Sequence, residues 1–165
     1  MNTKIILLLG SNLNDRLQLL KKAKIQIQTK IGRIIKESSV YESEPWGFQD
    51  DNIFLNQVII IDSSQSPGEI LSNIHQIEEK LGRKRKKTAE YESRTIDIDI
   101  LFFGNKIIKT EQLTIPHKQL HKRKFTLLPL QELEPEMIHP VLKKSITELT
   151  NDCDDPSAVN RLRKN

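Results

Sequence analysis

The 165-residue chain has a single cysteine, Cys153, and this scarcity removes two classes of site. One thiol can form neither an internal disulfide nor a metal site built from several cysteines. A chain without structural disulfides is typical of a reducing compartment, so we expect a cytoplasmic protein. The length fits one domain over residues 1–165, with a polar tail from residue 151 that we expect to be frayed.

Long apolar runs and the common nucleotide and metal motifs are also missing. No run of about 18 apolar residues exists, so the sequence predicts no membrane-spanning helix. The absence of GxxxxGK[ST] and GxGxxG loops argues against a P-loop hydrolase or a protein kinase. The sequence has no HExxH motif, and its one HxxxH pair, His117 and His121, supplies too few ligands for zinc by itself, so we expect no zinc site.

The positive charge is concentrated in one segment. Residues 83–94, RKRKKTAEYESR, carry six basic and two acidic side chains, and this local excess equals the net charge of +4 of the whole chain. Such a cluster favours a polyanionic partner. Taken alone, it also fits a solvated surface or a nucleic-acid-binding patch.

Four stretches between turn signals are predicted as strands. They are apolar or alternating and cover residues 3–9, 33–41, 54–62 and 95–103. The first is expected to be buried on both faces and to end at Gly10. Two helices separate them and give the order β-α-β-β-α-β. This order predicts an α+β, ferredoxin-like sheet with helices on its faces.

The two helices have clear boundaries in the sequence. The first is predicted over residues 14–31, with Leu17 and Leu20 on its buried face and Gly32 as its C-cap glycine. The second begins with the capping box SPGE at Ser66.

Beyond residue 103 we expect a hairpin and short helices. Gly104 and Asn105 form a turn that should fold residues 106–108 back onto the preceding strand. Further on, prolines should divide the chain into short helical pieces at Pro116, Pro129, Pro135 and Pro140.

Asp97 and Asp99 lie two residues apart in the alternating strand TIDIDIL. A period of two places the isoleucines on one face and both carboxylates on the other, about 7 Å apart. Two carboxylates at this distance repel each other, and a divalent cation reverses the interaction. Magnesium takes one or two carboxylates and completes its shell with water and phosphate. A solvent-facing strand with two acids fits the spacing equally well.

Arginines flank the two-aspartate strand in the sequence, at Arg83, Arg85 and Arg94. Guanidinium groups bind phosphate oxygens bidentately. Arginines beside a metal-binding strand therefore favour a site for ATP and magnesium.

Aromatic residues make up only 5% of the chain, yet Trp46, Phe48 and Phe54 lie near Asn56. Such a segment suits a flat polar heterocycle, because rings stack on its faces and an amide binds its edge. Ordinary core packing is the alternative, and it stays open for Trp46.

Taken in order, these motifs resemble the 6-hydroxymethyl-7,8-dihydropterin pyrophosphokinases of folate biosynthesis. The matching segments are LLLGSNL, SSVYESEPWGFQDDNIFLNQV, IEEKLGRKRK, SRTIDIDILFFG and LTIPHKQLHKRKFTLLPL. The resemblance implies a magnesium-dependent transfer of pyrophosphate from ATP to the hydroxymethyl group of the pterin. The hydroxymethyl oxygen would attack the β-phosphorus in line and AMP would leave, with no general base assigned.

The resemblance also implies roles for individual residues. Asp97 and Asp99 would bind two magnesium ions and, with Arg83 and Arg94, form the catalytic set. ATP contacts are implied at His75, Glu78, Arg83, Arg85, Arg94, Thr114, His117 and Arg123. Pterin contacts are implied at Ser43, Glu44, Trp46, Phe54, Asn56 and Phe125, with Asn56 on the pterin edge and Phe125 stacked on its ring.

Two substitutions and a longer loop depart from the family pattern. Gln112 stands where some members have an arginine near the triphosphate, and Tyr91 stands where some have a loop tryptophan. The loop at residues 83–94 is longer than in some relatives. These departures concern the closing contacts of the loop and leave the implied reaction unchanged.

The alternative is a ferredoxin-like nucleic-acid-binding module that uses residues 83–94. Such modules stack bases on exposed aromatics of the central strands, and the first strand, KIILLLG, has none. A metal-carrying ferredoxin-like domain would need a CxxC motif, which the sequence lacks. We therefore expect ATP and the pterin as partners, no nucleic acid or membrane, and a monomeric protein.

Overall fold

The structure is a computed structural model that describes residues 2–11, 15–44, 53–82 and 96–162. In chain order its strands are β1 (Thr3–Ser11), β2 (Arg33–Glu37), β3 (Tyr41–Ser43), β4 (Phe54–Ser63), β5 (Asp97–Phe103), β6 (Ile108–Lys109), β7 (Thr114–Ile115) and β8 (Val159–Arg161). Its helices are α1 (Arg16–Lys30), α2 (Pro67–Lys80), α3 (Lys124–Leu133) and α4 (Ile146–Asp152), with a 3₁₀ turn at Leu120–Lys122.

Six strands form one antiparallel sheet in the order β5-β1-β4-β3-β8, and β2 also pairs with β4. β2 and β3 occupy successive stretches of the same edge of β4, so the predicted strand at residues 33–41 is interrupted into two. The helices α1 and α2 connect the strands in the β-α-β-β-α-β order. The predicted ferredoxin-like fold is confirmed.

Apolar side chains on both faces of β1 place the sheet between two cores. Ile5, Leu7 and Leu9 pack in the core that contains the buried faces of α1 and α2. Ile6 and Leu8 pack in the core that contains α3 and α4. Full burial of one such side chain stabilises the fold by about 1.5–3 kcal/mol. The prediction of a first strand buried on both faces is confirmed, although β1 continues through Gly10 to Ser11.

The start of α2 agrees with the predicted capping box. Ser66 Oγ accepts a hydrogen bond from the Glu69 backbone N–H at 3.2 Å, and Glu69 Oε2 accepts one from the Ser66 backbone N–H at 3.1 Å. This reciprocal pair satisfies two N–H groups that the helix itself leaves without partners. The helix therefore has a fixed start and presents its apolar stripe to the first core.

The prediction that Leu17 lies on the buried face of α1 is wrong, and Gly32 follows the end of the helix as predicted but without the expected backbone. Leu17 is 44% exposed, and the buried face is formed by Leu19, Leu20, Ala23 and Ile27. Gly32 does not adopt the left-handed backbone of a C-cap glycine. It is required for close approach instead, because a Cβ at this position would lie 2.3 Å from the carbonyl oxygen of Asp62 on β4.

The chain after β5 differs from the prediction in its pairing. Residues 106–108 do not return along β5, because Ile108 pairs with Ile115 in a separate two-stranded sheet of β6 and β7. Pro129 does not divide the chain, since α3 continues through it to Leu133. The proline removes one intrahelical hydrogen bond, and the burial of Leu127 and Leu130 holds the helix in place.

The prediction of a frayed tail is wrong for residues 159–161. They form β8, which pairs with the edge strand β3, and Leu162 N–H donates to the Val40 carbonyl at 2.8 Å. An open sheet edge leaves backbone N–H and C=O groups without hydrogen-bond partners, and β8 provides such partners for β3. Among the described residues, no helix has the length and apolar character needed to cross a bilayer.

Candidate active site

Asp97 and Asp99 project from β5 on the face opposite its isoleucines. Ile98 and Ile100 pack in the first core, and both aspartates are half-buried on the other face, as the alternation predicts. The buried Glu78 of α2 accepts a hydrogen bond from the Ile98 backbone N–H through Oε2 at 2.9 Å. β5 lies at the edge of the sheet, so this carboxylate satisfies an outward N–H and holds the strand between the two aspartates.

An open pocket of about 310 Å³ lies beside this strand. It brings together six of the predicted nucleotide and metal residues, namely His75, Glu78, Asp97, Asp99, Thr114 and His117. Gln112 also lines the pocket, at the position where some family members have an arginine. The predicted nucleotide residues that the structure describes therefore converge, with Arg123 close enough to influence the charge state of His117.

His117 is held in one tautomer. Its Nδ1 accepts a hydrogen bond from the Gln119 backbone N–H at 3.1 Å, so in the neutral ring Nε2 carries the proton. Nε2 lies 4.0 Å from Oδ1 of Asp99. Burial, followed by the positive charge of Arg123, lowers the pKa of His117 to about 4, against an opposing effect of Asp97. At neutral pH the ring is therefore an uncharged donor beside the aspartates.

The predicted pterin residues lie on β3, β4 and the start of α3. Asn56 is 2% exposed, and its Nδ2 donates a hydrogen bond to Oγ of the buried Ser43 at 2.7 Å. Phe54 is half-buried on β4, Glu44 is exposed just after β3, and Phe125 packs at the margin of the second core. The guanidinium carbon of the buried Arg123 lies 5.5 Å from the Phe125 ring centroid. This contact joins the predicted nucleotide residues to the predicted pterin residues.

Gly10 stands between the two groups of residues. On β1 it pairs with Asp97 of β5 on one side and with Asn56 of β4 on the other. Opposite residues of antiparallel strands share a face, so the carboxylate and the amide flank a position without a side chain. At a strand spacing of about 4.8 Å, their backbones are about 10 Å apart across the glycine.

The sequence pattern predicts Gly10 as the end of the first strand and therefore gives it no role in the site. A Cβ at this position would lie 3.4 Å from Asn56 Oδ1 and 4.0 Å from Phe54 Cδ1, so the backbone does not require a glycine here. The available signal was the glycine in LLLGSNL, directly between the apolar strand and polar residues.

Several predicted site residues lie outside the described part of the chain. They are Trp46, Phe48, Arg83, Arg85, Tyr91 and Arg94. Their roles stay predictions that rest on the sequence.

Residues 6–135 match the model of a family described as 7,8-dihydro-6-hydroxymethylpterin-pyrophosphokinase (HPPK). The chain belongs to the HPPK family. It is 41% identical over 140 residues to the 2-amino-4-hydroxy-6-hydroxymethyldihydropteridine pyrophosphokinase of Aquifex aeolicus, which covers 85% of this chain and 86% of that protein. The Haemophilus influenzae protein of the same name is 38% identical over 152 residues, covering 92% and 93%.

The fold is also that of HPPK domains. A crystal structure of HPPK-DHPS from Plasmodium falciparum superimposes with a TM-score of 0.72 at 22% identity. The match covers 92% of this chain and 44% of that chain, so this protein spans less than half of that longer one.

Membership of the HPPK family defines the activity. The protein is a pyrophosphokinase of folate biosynthesis, a transferase that acts on ATP and hydroxymethyldihydropterin. These matches give no support to the alternative of a nucleic-acid-binding module.

Proposed function

We propose that this HPPK protein carries out the transfer as a magnesium-dependent attack of the pterin hydroxymethyl oxygen on the β-phosphorus of ATP, with release of AMP. One observation carries the proposal. The sheet register aligns Asp97, Gly10 and Asn56 in one row, so an acidic strand and a buried amide face the same gap. Nucleotide and acceptor would meet above Gly10.

Asp97 and Asp99 fit a magnesium site. Both carboxylates line the same open pocket, and magnesium prefers oxygen ligands. Within the described ranges, no group of three or more His, Cys, Asp or Glu side chains is placed to enclose a metal. The remaining ligands would be phosphate oxygens and water, which is usual for magnesium. Bound magnesium supplies positive charge against the charge that develops on the phosphates.

The neutral His117 suits a phosphate contact. Its Nε2–H is oriented by the hydrogen bond at Nδ1 and donates without adding charge to the pocket. Thr114 and His75 line the same pocket and offer further polar contacts to the nucleotide. Arg83, Arg85 and Arg94 are proposed to bind the phosphates, on the family resemblance and on the chemistry of guanidinium groups.

The Ser43–Asn56 pair suits the edge of a pterin. Because Nδ2 of Asn56 is held by Ser43, the amide is fixed in orientation before a ligand binds. Its Oδ1 lies on the side of Gly10 and is placed to accept hydrogen bonds from pterin N–H groups. Phe125 is proposed to stack on the ring, and Trp46, Phe54 and Glu44 to complete the pocket.

The transfer forms one P–O bond, breaks another, and releases the proton of the hydroxymethyl O–H group to water. The hydroxymethyl oxygen forms a bond to the β-phosphorus, and the bond between that phosphorus and the oxygen bridging to the α-phosphorus breaks. The pyrophosphoryl group thus passes to the pterin, and AMP leaves with the bridging oxygen. The residues align the two substrates across Gly10 and stabilise the charge, which is the main protein contribution in phosphoryl transfer.

Product analysis tests the proposal. The purified protein with ATP, magnesium and 6-hydroxymethyl-7,8-dihydropterin should form AMP in step with pterin consumption. AMP should not form without the pterin, and a chelator should stop the reaction. ADP as the main product would contradict attack at the β-phosphorus. Full activity in the chelator would contradict the magnesium requirement.

The proposal extends to the setting of the enzyme. We place it in the cytoplasm because the single thiol suits a reducing compartment. We also propose a single domain, since 165 residues fit one, and a monomeric enzyme.

A further inference from the structure

The C-terminal tail contacts β3 and α3, two of the three elements that carry the proposed pterin residues. We define the strap as residues 155–161, which include β8. The strap pairs with β3, with Val159 opposite Ser43 and Arg161 opposite Tyr41. β3 in turn carries Ser43, whose hydroxyl holds Asn56. Ser43, the hydrogen-bond partner of the Asn56 amide, therefore lies on a strand between β4 and the tail.

At its beginning the strap is bonded to the first turn of α3. Asp155 Oδ2 accepts a hydrogen bond from the Lys124 backbone N–H at 3.0 Å, and Oδ1 accepts one from Ser157 N–H at 3.0 Å. The residue before the helix, Arg123, provides no side-chain cap. The carboxylate from the tail thus satisfies a helix N–H group and complements the positive end of the helix dipole. Phe125 is the next residue along the helix.

At its end the strap is bonded to the last turn of α3. Glu132 Oε1 accepts hydrogen bonds from Tyr41 Oη at 2.8 Å and from Arg161 Nη2 at 3.0 Å. Glu132 Oε2 accepts a further bond from the Ser39 backbone N–H at 2.8 Å. The Arg161 guanidinium also lies over the Tyr41 ring, 5.7 Å from its centroid. This cluster joins α3, β3 and β8.

Phe125 and Glu132 lie on the same side of α3. They are seven residues apart, which is about two turns and about 10 Å along the axis. The tail is therefore bonded to the helix at both ends of the stretch that carries Phe125. The same tail is paired with the strand that carries Ser43.

We propose that the strap positions α3 against β3 and thereby sets the width of the pterin pocket, between Phe125 on one side and the Ser43–Asn56 pair on the other. Asp155, Arg161, Glu132 and Tyr41 are positioning residues in this arrangement. They act through the elements that they join. The inference rests on the proposed pterin site.

The position of the strap in the sheet makes the inference specific. β8 and β5 occupy opposite edges of the sheet, so the strand with Asp97 and Asp99 is remote from the tail. Loosening the strap should therefore weaken pterin binding and leave β5 in place.

Two conservative substitutions in the full-length protein test the proposal. Arg161→Met replaces the guanidinium group with an unbranched apolar side chain and removes the hydrogen bonds to Glu132 and Tyr41. Asp155→Asn keeps the shape and removes the charge. Each should weaken pterin binding by about 3- to 10-fold in a calorimetric titration, with affinity for magnesium and a non-hydrolysable ATP analogue within about 2-fold. Arg161→Lys should restore most of the pterin affinity, because the ammonium group reaches the same carboxylate.

Matched controls lie beside each residue. Asp154→Asn removes the same charge one residue away from Asp155, and Asn160→Ala truncates an exposed side chain on β8. Both should bind pterin like the wild type. Amide exchange at Leu162, which donates to Val40, reports whether β8 stays paired in each variant.

The outcomes separate the strap from the proposed function. If the wild type binds pterin and Arg161→Met and Asp155→Asn bind it equally well, the strap inference is wrong and the proposed site stands. If both ligands weaken equally, the tail serves only general stability and the inference is also wrong. If the wild type itself does not bind pterin, the proposed function fails and the inference fails with it.

Discussion

The proposed nucleotide side and the proposed acceptor side of the site are built in different ways. On the nucleotide side, Asp97 and Asp99 are half-buried carboxylates on one face of an edge strand, beside an open pocket of about 310 Å³. On the acceptor side, Asn56 and Ser43 are buried and hydrogen-bonded to each other at 2.7 Å. Like charges brought together favour a cation, whereas a satisfied polar pair is fixed before any ligand arrives. Substitutions on the first side should therefore affect chemistry more than folding.

The largest effect on activity is expected from substitutions on the nucleotide side. Asp97→Asn or Asp99→Asn should lower activity by at least about 100-fold, because the proposed magnesium ion would lose a charged ligand. The melting temperature should be unchanged or raised, because a repulsion is removed. Steady-state kinetics and thermal unfolding of each variant check both parts.

Glu111→Gln is the matched control for the aspartates. Glu111 is exposed and lines the same pocket but does not belong to β5. The substitution therefore removes one negative charge near the proposed nucleotide site. Its activity should stay within about 3-fold of the wild type, since exposed charges interact weakly. A large loss of stability in the aspartate variants, with activity per folded molecule retained, would show that Asp97 and Asp99 are structural.

An intermediate effect is expected where the two sides meet. Gly10→Ala should lower kcat by about 10- to 100-fold, because the added methyl group displaces the reacting groups from alignment. The fold should tolerate it, since the Cβ would contact Asn56 Oδ1 at 3.4 Å. ATP, titrated alone, should bind with little change, whereas the pterin should bind less tightly because the methyl group lies beside Asn56 Oδ1.

Gly68→Ala provides the control for this substitution. A Cβ at Gly68 would meet no atom within 4 Å, so its activity should stay within about 2-fold. Equal kcat values for Gly10→Ala and the wild type would mean that the reacting groups do not meet above Gly10.

The smallest effect is expected on the acceptor side, from substitution of Phe125. Phe125→Ala should weaken pterin binding by about 1 to 2 kcal/mol through lost stacking, and ATP affinity should barely change. Phe125→Tyr keeps the ring and should bind pterin nearly as well as the wild type. Calorimetric titrations in which both ligands weaken equally with Phe125→Ala would show that the pocket lies elsewhere.

Local patterns in the sequence predicted several parts of this architecture correctly. Alternation placed the side chains of β5 on opposite faces, and the SPGE segment marked the start of α2. The same reasoning failed at Leu17 and Gly32, where the choice depends on what packs against α1. A leucine is buried only where a partner surface exists, and Gly32 matters because β4 passes close to it.

The sequence by itself determined the order of the elements, the face of β5 that carries Asp97 and Asp99, and the motifs of the HPPK family. These features depend on residues within a few positions of one another, which repeat with the period of a strand or a helix. Tertiary structure decided the rest. Asp155 binds a helix start 31 positions away, Glu132 binds Ser39 across 93 positions, and Arg161 reaches Tyr41 across 120. No local period encodes such contacts, because they form only when the sheet brings distant segments to the same edge.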